Sequence, residues 1–255
     1  MGSPLSLSRS YRIPSAGCDA ARRLPPSSLV SDIIDLAVAH ADALGVGFDA
    51  MEPHGIMWVL GRLSIETSRW PAMFDEFSLT TWVEGVNRLF SERDFEINVN
   101  GITAGYARTV WSAIDMKTRR SASLSPVTEG LSNVADKDRA CPIDRVPRLG
   151  APAEPDSARS YTFVLSDLDF NRHVTTTRYV DLMVDNIPLD LYDRSRIARI
   201  DLAFHREARY GDQVDILSAL SATGLDGLTV ITAALTAPSD PATVFCAARI
   251  ILSDK

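Results

Sequence analysis

Lysine, cysteine and long apolar runs are all scarce in this chain of 255 residues, and the last two scarcities close off classes of function. The three lysines (Lys117, Lys137, Lys255) leave arginine to carry nearly all the positive charge, and the formal net charge is -7. Phosphate-binding surfaces normally show a basic excess, so no nucleic-acid partner is expected. Cys18, Cys141 and Cys246 are odd in number, far apart and outside any Cys-x-x-Cys or Cys/His cluster. Neither a disulfide framework nor a zinc site is suggested, and Cys246, between Phe245 and Ala247, reads as a small core residue. No apolar run approaches the roughly 18 residues of a membrane span, and no charged segment leads into an apolar stretch at the N-terminus. The expectation is a soluble cytoplasmic protein. A Gly-x-Ser-x-Gly elbow, a Gly-rich phosphate loop and a metal-spaced histidine pair are missing too, and neither a metal nor a cofactor is expected.

What is present is enough apolar content, 45% of residues, to bury one large core or two ordinary ones. After Pro25-Pro26, Ser27 and Ser28 offer N-caps for a helix whose apolar positions Leu29, Ile33, Leu36, Ala37, His40 and Leu44 follow an i, i+4, i+7 rhythm as far as Gly45 and Gly47. Strand-like segments follow at 56–65, 76–83, 88–99 and 104–116, an α+β order. Residues 120–158 are rich in Ser, Asp, Arg and Pro and read as a linker. A strand at 161–165 then leads through a polar motif into an apolar helix, 174–186, stopped by Pro188. The first pattern thus recurs. Aligning Asp75 with Asp212 (212 − 75 = 137) also pairs Leu63 with Ile200, Ile65 with Leu202 and Phe77 with Val214, while Thr109-Val110-Trp111 matches Thr243-Val244-Phe245 at an offset of 134. At the first offset Trp70 falls opposite Glu207 and Leu36 opposite His173, so the polar chemistry is expected in the second copy alone. The division expected is 1–125, a linker at 126–158, and 159–255.

The polar motif is Ser166-Asp167-Leu168-Asp169-Phe170-Asn171-Arg172-His173. In an extended backbone Asp169, Asn171 and His173 would share one side, bringing a base, an amide and a titratable ring into one small volume. Taken singly, Asp169 or Asn171 would serve as a helix N-cap and His173 as a satisfied core or surface histidine. A second polar cluster, His205-Arg206-Glu207, interrupts the apolar run Ile197, Ile200, Leu202, Phe204. Alternation there puts Glu207 mid-strand, on a face meeting the buried helix, where an unpaired carboxylate costs several kcal/mol. The alternative is a solvated edge strand with Glu207 paired to Arg206 or Arg209. His40, on the apolar helix stripe, reads as a packed core histidine, and Trp58, Trp70, Trp82 and Trp111 as core residues or walls of an apolar tunnel.

The run from Asp167 to Val174, with Tyr179 beyond it, resembles the Asp-Leu-Asp-x-Asn-x-His-Val motif of the acyl-acyl carrier protein thioesterases. Arg69-Trp70-Pro71 with Thr81-Trp82, and Val110-Trp111 with Lys117-Thr118-Arg119-Arg120, are similar to that family's first-half signatures, so that the likeness covers about 10–252. It implies an α+β tandem hotdog fold, two long helices each wrapped by an antiparallel sheet, and hydrolysis of a fatty acyl thioester on acyl carrier protein. It implies catalytic roles for Asp169, Asn171, His173 and Glu207. Glu207 or Asp169 would activate a water, Asn171 would orient it or the thioester, and His173 with N–H groups at the helix start would stabilise the oxyanion. Ala208 stands where the family often has Cys, which leaves a water attack. The first copy would hold the acyl chain, with Leu36, His40 and Trp58 as wall residues. The acidic carrier would meet an arginine patch, for which Arg178, Arg194, Arg196 and Arg199 are candidates. The rivals are an acyl-CoA thioesterase of the hotdog type and a non-catalytic acyl-chain or carrier-protein binder; a dehydratase is disfavoured by the lack of a His-Phe-Pro-type motif. Monomer and homodimer are both open.

Overall fold

The computed structural model describes residues 5–223 and 228–254; residues 1–4 and 255, at the ends of the two expected domains, and 224–227 within the second lie outside the described residues. The chain divides into two compact units, one of Met1–Ala16 with Asp32–Arg145, the other of Gly17–Ser31 with Val146–Lys255. No described helix is long and apolar enough to cross a membrane.

In the first unit, β1 (Ser6–Arg12), β3 (Glu76–Val86), β4 (Phe90–Val99), β5 (Ile102–Asp115) and β2 (Ile56–Thr67) lie side by side in that order, with β6 (Ser121–Ala122) on β5. Every pairing from β1 to β5 is antiparallel, as is that of β5 with β2. The long helix α1 (Pro26–Ala43) buries Leu29, Val30, Ile33, Leu36, Ala37 and His40, a stripe at helical spacing. Its start differs from the expectation: Pro25 precedes the helix and its carbonyl accepts the N–H of Ser28 and Leu29, so the two serines sit inside the first turn rather than capping it. The four expected strands are present, each within three residues of its expected ends. Strand β1 carried too little apolar signal to be read, because its residues are mostly polar or exposed and only pairing with β3 fixes them.

The stretch read as a linker is not featureless. Helix α3 (Ser125–Val134) follows the short α2 (Phe48–Met51) in the order of helices, and its Val127 and Leu131 join a core with Val46, Met51, Ile56, Val83, Ala113 and Leu124. Beyond it, residues 139–145 are strapped to the sheet. Trp82 Nε1 donates to the Arg139 carbonyl (2.8 Å), Arg108 to the Ile143 carbonyl (3.1 Å), and Arg139 and Arg145 pair with Glu96 and Glu92. Prolines and charges disguised this segment, since its order comes from partners distant in sequence.

The second unit has β8 (Ser195–Phe204), β11 (Asp240–Asp254), β10 (Leu228–Ala237), β9 (Gln213–Thr223) and β7 (Ser157–Thr162) in antiparallel order. Helix α4 (Thr176–Val184) is capped by Thr175, whose Oγ1 accepts the Arg178 N–H at 3.1 Å, and it buries Tyr179, Val180, Leu182 and Met183. Helix α4 ends at Val184 with Asp185 as its C-cap, short of Pro188, which instead stands at the N-cap of α5 (Leu189–Arg194). In each copy a helix is buried with an antiparallel sheet, the α+β hotdog arrangement, and the division between the two units falls within α1.

Strand registers test the internal repeat. Leu63 pairs with Thr109 and Ile200 with Ile250, so the 137 offset holds for the first member of each pair. Thr109 therefore answers to Ile250, an offset of 141 (250 − 109), and the match at 134 is a coincidence of residue type. Nearer the N-terminus the offset is 150, because the first copy's helix is longer. His173 then answers to Arg23, not Leu36, and the loop before α1 is a structural twin of the polar motif.

Candidate active site

The polar motif is a tight turn organised by Asp169. Its Oδ1 accepts the N–H of Asn171 at 2.8 Å and of His173 at 3.0 Å, its own N–H donates to the His173 carbonyl at 2.8 Å, and the Arg172 N–H donates to its carbonyl at 3.0 Å. The turn places Arg172 at φ 64°, a left-handed conformation. So the residues do not alternate along an extended strand as expected; a folded turn brings them together. Asp19 does the same in the first copy. Its Oδ1 accepts the N–H of Ala21 and Arg23, both at 2.8 Å, and Arg22 sits at φ 59°. The carboxylate cradle therefore belongs to the loop architecture of both copies. The asparagine and the histidine belong to one.

In the twin loop Arg23 fills the histidine's place. It donates to the carbonyls of Ser195 (3.0 Å) and Tyr192 (3.2 Å), and its guanidinium lies 4.1 Å from the Tyr192 ring centroid. Tyr192 in turn donates to Asp19, which with burial pushes its phenol pKa upward. These groups bind one another, and Arg23 Nε lies 3.7 Å from Asp19 Oδ2.

Glu207 is not mid-strand. Strand β8 ends at Phe204, and His205, Arg206 and Glu207 form an exposed segment before the buried Ala208. The backbone departs from the ladder as His205 and Arg206 both donate to the Phe245 carbonyl, at 2.8 and 3.2 Å. The carboxylate is not in an apolar surround either, since 39% of the side chain is exposed. It lies nonetheless beside the motif, with Oε2 3.6 Å from His173 Nε2. That separation is long for a direct hydrogen bond and suits a charge pair or one bridging water.

The motif opens on a cleft of about 800 Å³ lined by Leu165, Leu168, Asp169, Asn171, His173 and Arg209 among others. A separate small cavity of about 40 Å³ lies in the first unit, with Trp58, Trp111, Val38, Leu131 and Arg93 among its walls. Of the expected wall residues only Trp58 lines it. Leu36 is wholly buried in the core, and His40 lies behind the wall, its Nδ1 2.5 Å from the Arg93 guanidinium. Burial lowers the Arg93 pKa to about 10. Sequence reading missed Arg93 because a charged residue inside a strand signals exposure rather than a pocket wall.

The arginines expected to meet a carrier are mostly committed elsewhere. Arg178 binds Asp167 (2.9 Å) and the Tyr161 hydroxyl (2.6 Å), Arg194 pairs with Asp190 (3.6 Å), and Arg199 is buried against Asp201 (2.9 Å). Arg172 and Arg209 line the cleft instead, and Arg206 adjoins Glu207; all three are exposed. Cys246 is fully buried and its thiol pKa is raised by that burial, as a core residue's would be.

Comparison with known proteins gives a consistent picture. Residues 4–129 match the family model described as the acyl-ACP thioesterase N-terminal domain, and 150–237 match that of the C-terminal domain. The oleoyl-acyl carrier protein thioesterase 1, chloroplastic, of Arabidopsis thaliana is 26% identical over 203 residues, 70% of this chain and 54% of that one. The chain thus spans about half the length of the curated relatives it matches. An acyl-ACP thioesterase crystal structure from Bacteroides thetaiotaomicron superposes with a TM-score of 0.83 at 27% identity, covering 99% of this chain and 100% of that one. The 12:0-ACP thioesterase of Umbellularia californica, at 19% identity, shares the fold with a TM-score of 0.85 over 98% and 95% of the two chains.

Proposed function

As the chain belongs to the acyl-ACP thioesterase family, we propose that it hydrolyses the thioester of a fatty acyl group on acyl carrier protein, releasing the free fatty acid. The observation that carries this reading is the approach of Glu207 to His173, 3.6 Å apart, with His173 in the wall of a cleft. Glu207 is the general base: it takes a proton from a water held between the two side chains, and the water oxygen adds to the thioester carbon. His173 and N–H groups at the start of α4 stabilise the oxyanion. Collapse of the tetrahedral adduct expels the thiolate, which regains the proton from Glu207. Asn171 projects from the same turn and orients the thioester or the water. Asp169 engages one carboxylate oxygen with two backbone N–H groups, which supports a loop-organising role and leaves the base role to Glu207. With Ala208 next to Glu207, no cysteine nucleophile is supplied there.

The small cavity in the first unit is assigned to the acyl chain, with Trp58 in its wall; Leu36 and His40 support it from behind. At about 40 Å³ it must widen to admit several methylenes. Arg172, Arg206 and Arg209, rather than the four arginines expected from the sequence, form the basic rim that meets the acidic carrier. The test is a thiol-release assay with one acyl chain offered on carrier protein and on CoA, over graded lengths. Faster turnover on the carrier is expected. Preference for CoA makes it an acyl-CoA thioesterase, and binding without thiol release makes it a silent binder.

A further inference from the structure

Helix α4 reaches the Glu207 segment through the Tyr179 hydroxyl. Tyr179 is buried, 4% exposed; its oxygen accepts the Ala208 N–H at 2.8 Å and its hydroxyl donates to the Arg206 carbonyl at 3.4 Å. The two peptide groups gripped in this way lie on either side of Glu207. Val174, next to His173, donates its N–H to the Ala208 carbonyl at 2.8 Å, so the histidine loop is tied to the same short segment.

The first copy shows what the fold needs without chemistry. Tyr179 N–H donates to the Thr175 carbonyl as Leu29 N–H does to Pro25, which makes Leu29 the counterpart of Tyr179. In the turn that follows, Phe74 N–H donates to the Ile13 carbonyl as Gly211 N–H does to Phe163. Both residues have left-handed φ, 70° and 83°. That register makes Trp70 the counterpart of Glu207 and Pro71 the counterpart of Ala208. Leucine has no hydroxyl and proline no N–H, so this bond is impossible in the first copy, whose helix, turn and sheet form all the same. The bond accompanies the glutamate.

Resting on the base role given above to Glu207, we infer that Tyr179 is a positioning residue: its hydroxyl brackets Glu207 and holds the carboxylate at the distance from His173 that water activation requires. Burial raises the phenol pKa, so the group stays a neutral donor and acceptor across the working range.

The test is a double-mutant cycle read by thiol release, with Tyr179→Phe, Glu207→Gln and the pair compared with the unaltered chain. Tyr179→Phe should lower kcat by about tenfold or more with KM within about twofold, and should add less than about twofold to the loss in the Glu207→Gln background. Phe163→Leu is the packing control: the Phe163 ring meets the Tyr179 ring edge-on at 5.9 Å, and its loss should lower Tm while kcat stays within about twofold. If Tyr179→Phe fails to fold, Tyr179→Phe with Ala208→Pro copies the apolar arrangement of the first copy, and the same cycle is read in that variant. An unchanged kcat in Tyr179→Phe, or an equal loss in both backgrounds, overturns the inference and leaves the base role of Glu207 standing. Unchanged turnover in Glu207→Gln overturns both.

Discussion

Glu207 keeps 39% of its side chain in contact with solvent and His173 19%, so neither is a desolvated charge. A half-exposed pair of this kind contributes little to stability, about 0–1 kcal/mol, and the role proposed for it is chemical. Glu207→Gln should therefore cut turnover by roughly 10² to 10⁴ while thermal unfolding shifts by no more than a degree or two. A large fall in Tm with turnover preserved would assign the residue to structure instead. The neighbouring Ala208 excludes the cysteine that the family often carries there, so thiol alkylation should leave hydrolysis intact; Cys141 and Cys246 are buried, and burial pushes the Cys141 thiol up to about 12.

At the scale of elements, the twin turns give an internal control. Asp169 and Asp19 each hold two backbone N–H groups, and loss of such a carboxylate costs about 1–2 kcal/mol. Asp169→Ala and Asp19→Ala should both lower Tm by a few degrees, but only the first should cut turnover, since only its turn carries Asn171 and His173. Equal losses of turnover would show that the cradles act through global stability. Helix α1 makes a second prediction. Asp32, on that helix, has its pKa raised to about 6, first by burial and then by Asp35, against the pull of Arg9. An acid whose folded pKa is raised binds its proton more tightly in the folded state, so its contribution is favourable at low pH and is lost as pH rises from about 4 to 6. Asp32 is partly exposed, so solvent screening makes the effect modest. Asp32→Asn should raise Tm by about 1–3 °C at pH 7.5 and by nothing at pH 4, measured by calorimetry across pH.

At the scale of the molecule, the proposed docking of an acidic carrier on a chain of net charge -7 requires a local reversal of sign, for which the exposed Arg172, Arg206 and Arg209 are the candidates. Arg172→Ala with Arg209→Ala should raise KM for carrier-bound substrate several-fold and flatten its dependence on salt, while a short thioester lacking the carrier should be turned over nearly as before. A salt dependence as steep as that of the unaltered chain would move the docking surface elsewhere.

Both hotdog copies were legible in the amino-acid sequence because their signals are local. Helical spacing marked Leu29 to His40, alternation marked the long strands, and the 137 offset between Leu63 and Ile200 follows from side chains repeating a face. The polar motif was legible too, because Asp, Asn and His two residues apart leave few bland readings. Other features required the folded chain. Glu207 looked buried because alternation was carried past Phe204, where the ladder in fact ends. The strap at 139–145 looked like a linker because its order resides in Trp82, Arg108, Glu92 and Glu96, partners 35 to 57 residues away along the chain. The twin of His173 was hidden by a difference in helix length, which shifts the repeat from 150 to 137. Periodicity reports which face a residue occupies; only tertiary contacts decide where an element stops and which distant groups meet, as the Tyr179 hydroxyl meets the Ala208 N–H.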